Sequence, residues 1–258
     1  PMARLKLALL GCGGISYRHL AGIRSHAART DVVAVIDTSS DRAAGMSRET
    51  GAPAFGSLAE VVGAVEIDAV DIMVPHDAHE ALTLEALEAG LHVLLEKPIA
   101  PTLESARRVL EAGQQARGTL MIAENSQYWP DVVKTLELLE AGAIGPLQSA
   151  HAAYVQNIAP SFGGADGGWR FARGRAGGGI AIDGCSHWIR PLRMFFAADT
   201  AARSTALAAD EIAEIVAATD RPVRQMEGES QVRALLRFRS GRTASLEAYL
   251  SLGPVAPT

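Results

Sequence analysis

Leu5-Lys6-Leu7-Ala8-Leu9-Leu10-Gly11-Cys12-Gly13-Gly14-Ile15-Ser16 begins with an apolar run, passes through a glycine-rich turn and enters a helical pattern. Glycine at such a turn lets the backbone approach a pyrophosphate, and the helix that follows presents its partial positive end to the same group. The third glycine of the dinucleotide fingerprint is replaced by Ser16, so the turn alone is a weak signal. Its context strengthens it. The next apolar run, 32–36, ends at Asp37, close to the ~20-residue spacing at which a carboxylate takes the hydroxyls of a ribose. A carboxylate there repels a 2′-phosphate, so NAD is expected rather than NADP. Ser39, Ser40 and Arg42 would favour the phosphate only if Asp37 turned away.

Further along, apolar runs at 69–74, 92–95 and 120–123 alternate with helical stretches. Strands covered on both faces read this way, and alternation with helices makes them parallel. In the segment 102–116, Leu103, Ala106 and Leu110 share a helical face, with Thr102 as N-cap and Gly118 as the stop. After Glu124 the pattern changes to a helix at 131–140 closed by Gly142, a strand at 147–155, and a glycine-dominated stretch at 161–179. That stretch carries Trp169, Arg170, Phe171, Arg173 and Arg175, side chains suited to the edge of a pocket. Runs 231–239 and 243–250 flank Ser240-Gly241-Arg242 as a hairpin, and the Ala-rich 197–218 is expected to be helical. The expectation is an α/β protein with a dinucleotide-binding domain over 1–123 and a substrate-binding and oligomerisation domain over 124–258.

The chain has 258 residues, 48% hydrophobic and 21% charged, with a net charge of −5. That balance supplies no basic field for a nucleic acid. With only Cys12 and Cys185, a disulfide framework is not expected, and a reducing, cytoplasmic setting is. Leu-Leu-Gly-Cys at 9–12 imitates the end of a lipoprotein signal, but its apolar core is shorter than the ~7–15 residues of a signal h-region. No apolar run approaches the ~20 residues of a membrane helix.

Lys97 follows the run 92–95, at the strand edge where doubly wound sheets bind ligands, and its ammonium can stabilise an alkoxide. Its bland reading is a surface lysine paired with Glu96. Asp183 and His187 are four apart, so on one helix they share a face, and an imidazole tuned by a carboxylate can move a proton near neutral pH. Read as metal ligands, His76, His79, Asp183 and His187 lack the spacing of a zinc site, and no metal is expected. Cys12 and Cys185 read as small packing residues.

These motifs bear a family resemblance. Gly11 to Ser16, Val74-Pro75 with His79, Ala89-Gly90-Leu91-His92-Val93-Leu94-Leu95-Glu96-Lys97-Pro98, Gly142-Ala143-Ile144-Gly145 and the stretch 177–187 together resemble the Gfo/Idh/MocA oxidoreductases. The resemblance implies an N-terminal Rossmann domain and a C-terminal α/β domain with an open, mainly antiparallel sheet. It implies hydride transfer between a nicotinamide and a sugar, cyclitol or related polyol, with Lys97, Asp183 and His187 beside the nicotinamide. The cofactor set it implies is Gly11, Gly13, Gly14, Ile15, Ser16, Asp37, Thr38, Arg42, Pro75, His79, Glu96 and Lys97; Gln127, Tyr128, Trp169 and Arg170 face the substrate. Many relatives carry an acid three residues past the histidine, where this chain has Arg190, so a carboxylated or phosphorylated substrate comes into view. Relatives also continue beyond the hairpin, which makes the second domain look shortened.

Two rival readings exist: a glycosidase that oxidises its substrate transiently with NAD, and a cofactor-binding protein without turnover. A homodimer or homotetramer is expected, formed through the face of the second sheet that carries Ala244, Leu246, Ala248 and Leu250.

Overall fold

A computed structural model of the chain describes residues 4–158, 168–198 and 210–252. It divides into two compact units, Pro1–Ala123 and Glu124–Thr258.

In the first unit the elements run β1 (Leu5–Leu10), α1 (Ser16–Ser25), β2 (Thr30–Ile36), α2 (Ser40–Thr50), β3 (Ala54–Phe55), α3 (Leu58–Ala64), β4 (Ala69–Ile72), α4 (His79–Glu88), β5 (His92–Leu95), α5 (Leu103–Gln115) and β6 (Leu120–Ile122). The strands form one sheet in the order β3-β2-β1-β4-β5-β6, and every pairing is parallel. This is the doubly wound order, with the direction of winding reversing between β1 and β4. Alternate residues feed two cores. Ala8, Leu10, Val70, Ile72, Val93 and Leu95 pack on one side with Leu58, Val61, Ala86 and Val109. Leu7, Leu9, Val35 and Ala69 pack on the other with Leu20 and Met46.

Thr102 caps α5 by accepting a hydrogen bond from the Ser105 N–H. The stop is different from the one expected: α5 ends at Gln115 with Ala116 as its C-cap. Gly118 has another reason to be glycine, since a Cβ there would lie 2.0 Å from the Leu91 carbonyl oxygen.

The second unit contains α6 (Pro130–Glu140), β7 (Ser149–Asn157), α7 (Arg173–Ala176), α8 (Ile180–Asp183), α9 (Ser186–Ala198), β8 (Ile212–Asp220), β9 (Gln231–Phe238) and β10 (Thr243–Ser251). Its sheet runs β7-β10-β9-β8, with β7 parallel to β10 and the other two pairings antiparallel. The hairpin β9–β10 is present, with Gly241 at φ 85° in its turn. The expected helix over 197–218 is not: α9 ends at Ala198, Ile212–Asp220 is a strand, and the residues between, 199–209, lie outside those described. Ile212, Ile215 and Val216 are β-branched, and pairing along β9 outweighs the alanine bias.

Ala244, Leu246, Ala248 and Leu250 of β10 are buried in the unit's own core with Ile180, Leu192, Phe196, Val232, Leu236 and Phe238. The face expected to be open for a partner is therefore covered by helices of the same unit. Among the described residues the opposite face is the uncovered one, where Leu235 and Val216 are 53% and 66% exposed.

Candidate functional site

The glycine turn of the first unit separates two jobs. Gly11, at φ 96°, is buried, and a Cβ on it would lie 2.3 Å from the Met73 carbonyl oxygen, so its glycine is set by the close approach of β1 and the end of β4. Around Gly13 and Gly14 nothing lies within 4 Å of where a Cβ would be. These two leave room beside the N-terminus of α1, as a pyrophosphate requires. Ser16, in place of the third glycine, is buried and donates from Oγ to the Gly13 carbonyl at 2.6 Å, closing the turn.

Asp37 faces this turn. Its Oδ2 accepts from the Cys12 N–H at 2.8 Å and its Oδ1 from the Ser39 N–H at 2.8 Å. Arg42 adds a guanidinium contact at 2.9 Å. Burial raises a carboxyl pKa, but here the Arg42 hydrogen bond and the two N–H donors outweigh it and hold Asp37 below its ordinary value. Thr38 is exposed and Ile15 half-buried beside them.

At the end of β5 the Glu96 carboxylate is engaged on both oxygens. Oε1 lies 3.0 Å from His19 Nε2, and Oε2 accepts from the Lys97 N–H at 3.0 Å. His19 Nδ1 in turn lies 2.8 Å from Oδ2 of Asp71, a residue of β4 that is 1% exposed. Neither His19 nor Asp71 was singled out in the sequence; the signal was there, an acid inside an otherwise apolar strand. Burial lowers the His19 pKa, yet the two carboxylates push it up to about 10, so the ring is an imidazolium at neutral pH. Glu96 thus fixes the backbone of Lys97, whose peptide bond to Pro98 is cis.

His79 is the first residue of α4. It is fully buried, with Nδ1 2.8 Å from the Pro98 carbonyl and Nε2 3.0 Å from that of Val74, and so ties together the loops that carry Pro75 and Lys97. Burial lowers its pKa.

In the second unit the expected Asp183–His187 pairing on one helix is replaced. The chain breaks at Gly184-Cys185, leaving Asp183 at the end of α8 and His187 in the first turn of α9. Asp183 pairs with Arg170 at 3.4 Å, and Arg170 stacks 4.3 Å from the centre of the Trp169 ring. Arg170, Gly178, Gly179, Asp183, Met226 and Leu250 line a small cleft. The glycine run 177–179 is partly a packing device, because a Cβ on Gly179 would lie 1.8 Å from the Glu229 carbonyl oxygen.

The carboxylate at His187 is Glu124, absent from the sequence-derived set. Its Oε1 lies 2.6 Å from His187 Nδ1 and also accepts from the Ser126 N–H at 3.0 Å. Burial raises the Glu124 pKa, and the bonds from His187 and Ser126 more than offset this, so the carboxyl is held below its ordinary value. His187 Nε2 has no hydrogen-bond partner among the described residues. The Trp129 ring lies 5.8 Å from the His187 ring and is itself braced edge-on by Trp188 at 5.4 Å. Gln127 meets Arg190, and Tyr128 is 63% exposed. Burial pushes the thiols of Cys12 and Cys185 up to about 11 and about 12, which keeps both protonated. Among the described residues no three His, Cys, Asp or Glu side chains converge as metal ligands, and no helix is long and apolar enough to cross a membrane.

Residues 5–124 match the sequence profile of an oxidoreductase family with an NAD-binding Rossmann fold, and residues 132–254 match the GFO/IDH/MocA C-terminal domain. The 1,5-anhydro-D-fructose reductase of Ensifer adhaerens is 31% identical over 82% of this chain and 59% of its own length. The inositol 2-dehydrogenase of Corynebacterium glutamicum is 31% identical over 55% of this chain and 43% of its own. The chain spans about half the length of the curated relatives it matches. An oxidoreductase from Thermotoga maritima shares the fold with a TM-score of 0.85 at 24% identity, over 99% of this chain and 74% of that one. A levoglucosan dehydrogenase solved with NADH and levoglucosan gives 0.84 at 22%, over 98% of this chain and 68% of that one.

Proposed function

This chain belongs to the Gfo/Idh/MocA oxidoreductase family, and on that premise we propose that it is an NAD-dependent dehydrogenase of a sugar, cyclitol or related polyol. The observation that carries the reading is the Glu124–His187 pair. With Nδ1 committed to Glu124, the imidazole presents Nε2 as the proton acceptor, in a fixed tautomer and orientation. NAD, when bound, would supply the hydride acceptor for the carbinol carbon. His187 Nε2 takes the hydroxyl proton, so the carbinol becomes a carbonyl, and Lys97 steadies the oxygen as negative charge develops on it. Gly13 and Gly14 leave room for the pyrophosphate, and Asp37 favours the free ribose hydroxyls of NAD over the phosphate of NADP. Asp183 and Arg170 orient the substrate with Trp169.

The test is NADH formation from a panel of sugars and polyols by the purified protein. NADH accumulating in step with product also separates net oxidation from a transient oxidation that regenerates NAD. Lys97→Ala and His187→Ala are expected to lower turnover by ~10²- to 10⁴-fold with NAD binding retained. Glu124→Gln, which keeps shape and loses charge, is expected to cost ~10- to 100-fold, chiefly in kcat. Near-full activity in either alanine variant removes that residue from its role.

A further inference from the structure

His187 and Arg190 are three apart on α9, so they stand on one face with Cβ atoms ~5–6 Å from each other. Glu124 and Gln127 are three apart on the segment opposite. The result is two adjacent rungs, Glu124 to His187 and Gln127 to Arg190. Their charge balance differs. In the first rung a carboxylate meets an imidazole. In the second, a guanidinium meets a neutral amide: Arg190 Nη2 and Nε donate to the same Gln127 oxygen at 3.2 and 3.4 Å, long for such bonds.

Arg190 is half-buried, and among the described residues its guanidinium has no carboxylate partner; its Nη1 has no hydrogen-bond partner of any kind. A guanidinium cannot shed its charge, and drawing it out of water uncompensated is costly. Its planar fork suits the paired oxygens of a carboxylate or phosphate. Gln127 is itself held, donating from Nε2 to the Glu124 carbonyl at 3.0 Å, so the amide that aims Arg190 is anchored to the residue that aims His187.

We propose that Arg190 is a specificity residue for an oxyanion carried by the substrate, a carboxylate or phosphate a few carbons from the hydroxyl whose proton His187 takes. The inference rests on the polyol dehydrogenase reading and narrows it to acidic sugars: uronates, aldonates or sugar phosphates. The anion completes the charge that Gln127 leaves open.

The experiment compares D-glucuronate, D-gluconate and D-glucose 6-phosphate with D-glucose and myo-inositol, for NADH formation and for binding followed by tryptophan fluorescence. Wild type, Arg190→Met and Arg190→Lys are assayed side by side. The expected result is that an acidic compound has the higher kcat/KM, and that Arg190→Met lowers the acidic-to-neutral ratio by ~10- to 100-fold through KM. Arg190→Lys, which keeps the charge and loses the fork, should recover part of it. The carboxylate and phosphate arms identify which oxyanion is taken. NADH formation that favours neutral compounds, or an equal loss on both classes in Arg190→Met, overturns the proposal while the dehydrogenase reading stands. Binding of an acidic compound that Arg190→Met abolishes, without NADH from any compound, supports the oxyanion site and defeats the reading beneath it. Neither binding nor turnover of acidic compounds defeats the proposal.

Discussion

Asp37 holds two kinds of partner that differ in strength. The N–H groups of Cys12 and Ser39 are fixed backbone donors, whereas Arg42 is a surface side chain, 55% exposed against 7% for Asp37. Exposed ion pairs contribute little, about 0–1 kcal/mol, so ribose hydroxyls can displace Arg42 while the backbone bonds remain. Replacing Asp37 by Ala removes the hydroxyl acceptor and frees Arg42 for a 2′-phosphate. The expected outcome, read by fluorescence titration, is weaker NAD binding with a relative gain for NADP; an unchanged preference removes Asp37 from the role. Asp37 was legible in the sequence because local order, strand then turn then helix then acid, sets its place. Glu124 was not. It reaches His187 across 63 residues, and no spacing rule spans that distance.

At the scale of elements, β4 and the end of β5 are tied to α1 by one charge cluster, besides the apolar packing of Leu20 on Leu7, Leu9 and Ala69. His19 of α1 sits between Asp71 of β4 and Glu96 at the end of β5. Its pKa rises from 6.5 to about 10 on folding. A raised pKa means that its stabilising contribution is complete below about pH 6.5 and is lost as pH climbs through about 10. Thermal melts of the protein should therefore fall more steeply between pH 7 and 10 than those of His19→Gln, which should melt lower at neutral pH. Parallel slopes would assign the pH dependence elsewhere. The strands themselves were readable from their apolar runs, and 92–95 matches β5 end to end. The break between α8 and α9 was less so. A glycine at 184 reads as a tolerated helix residue, yet here a Cβ would lie 2.4 Å from the Ile180 side chain, and the chain turns instead.

At the scale of the whole molecule, one face of the second sheet is uncovered among the described residues. Val216, Leu235, Ser245 and His151 form a row across it, edged by the Arg237–Glu214 ion pair and by Arg233 stacked 5.4 Å from the Tyr249 ring. We propose that a second copy of the chain covers this face, burying at least the ~1,000 Å² of a specific interface. Light scattering across a range of concentrations should find a dimer or tetramer, and Leu235→Glu should shift it toward monomer. A wild-type monomer at every concentration ends the proposal. The period-two pattern of β10 located the sheet correctly and its open face wrongly, because alternation says that one side is covered without saying by what.

The paired rungs of the second unit, Glu124 to His187 and Gln127 to Arg190, allow inheritance to treat chemistry and choice of substrate separately. On the proposed function, a mutation at 127 or 190 alters what is recognised and leaves His187 with its carboxylate Glu124. On the same proposal, lineages descending from such a chain exchange one diet for another by single steps, each intermediate keeping the Glu124–His187 pair.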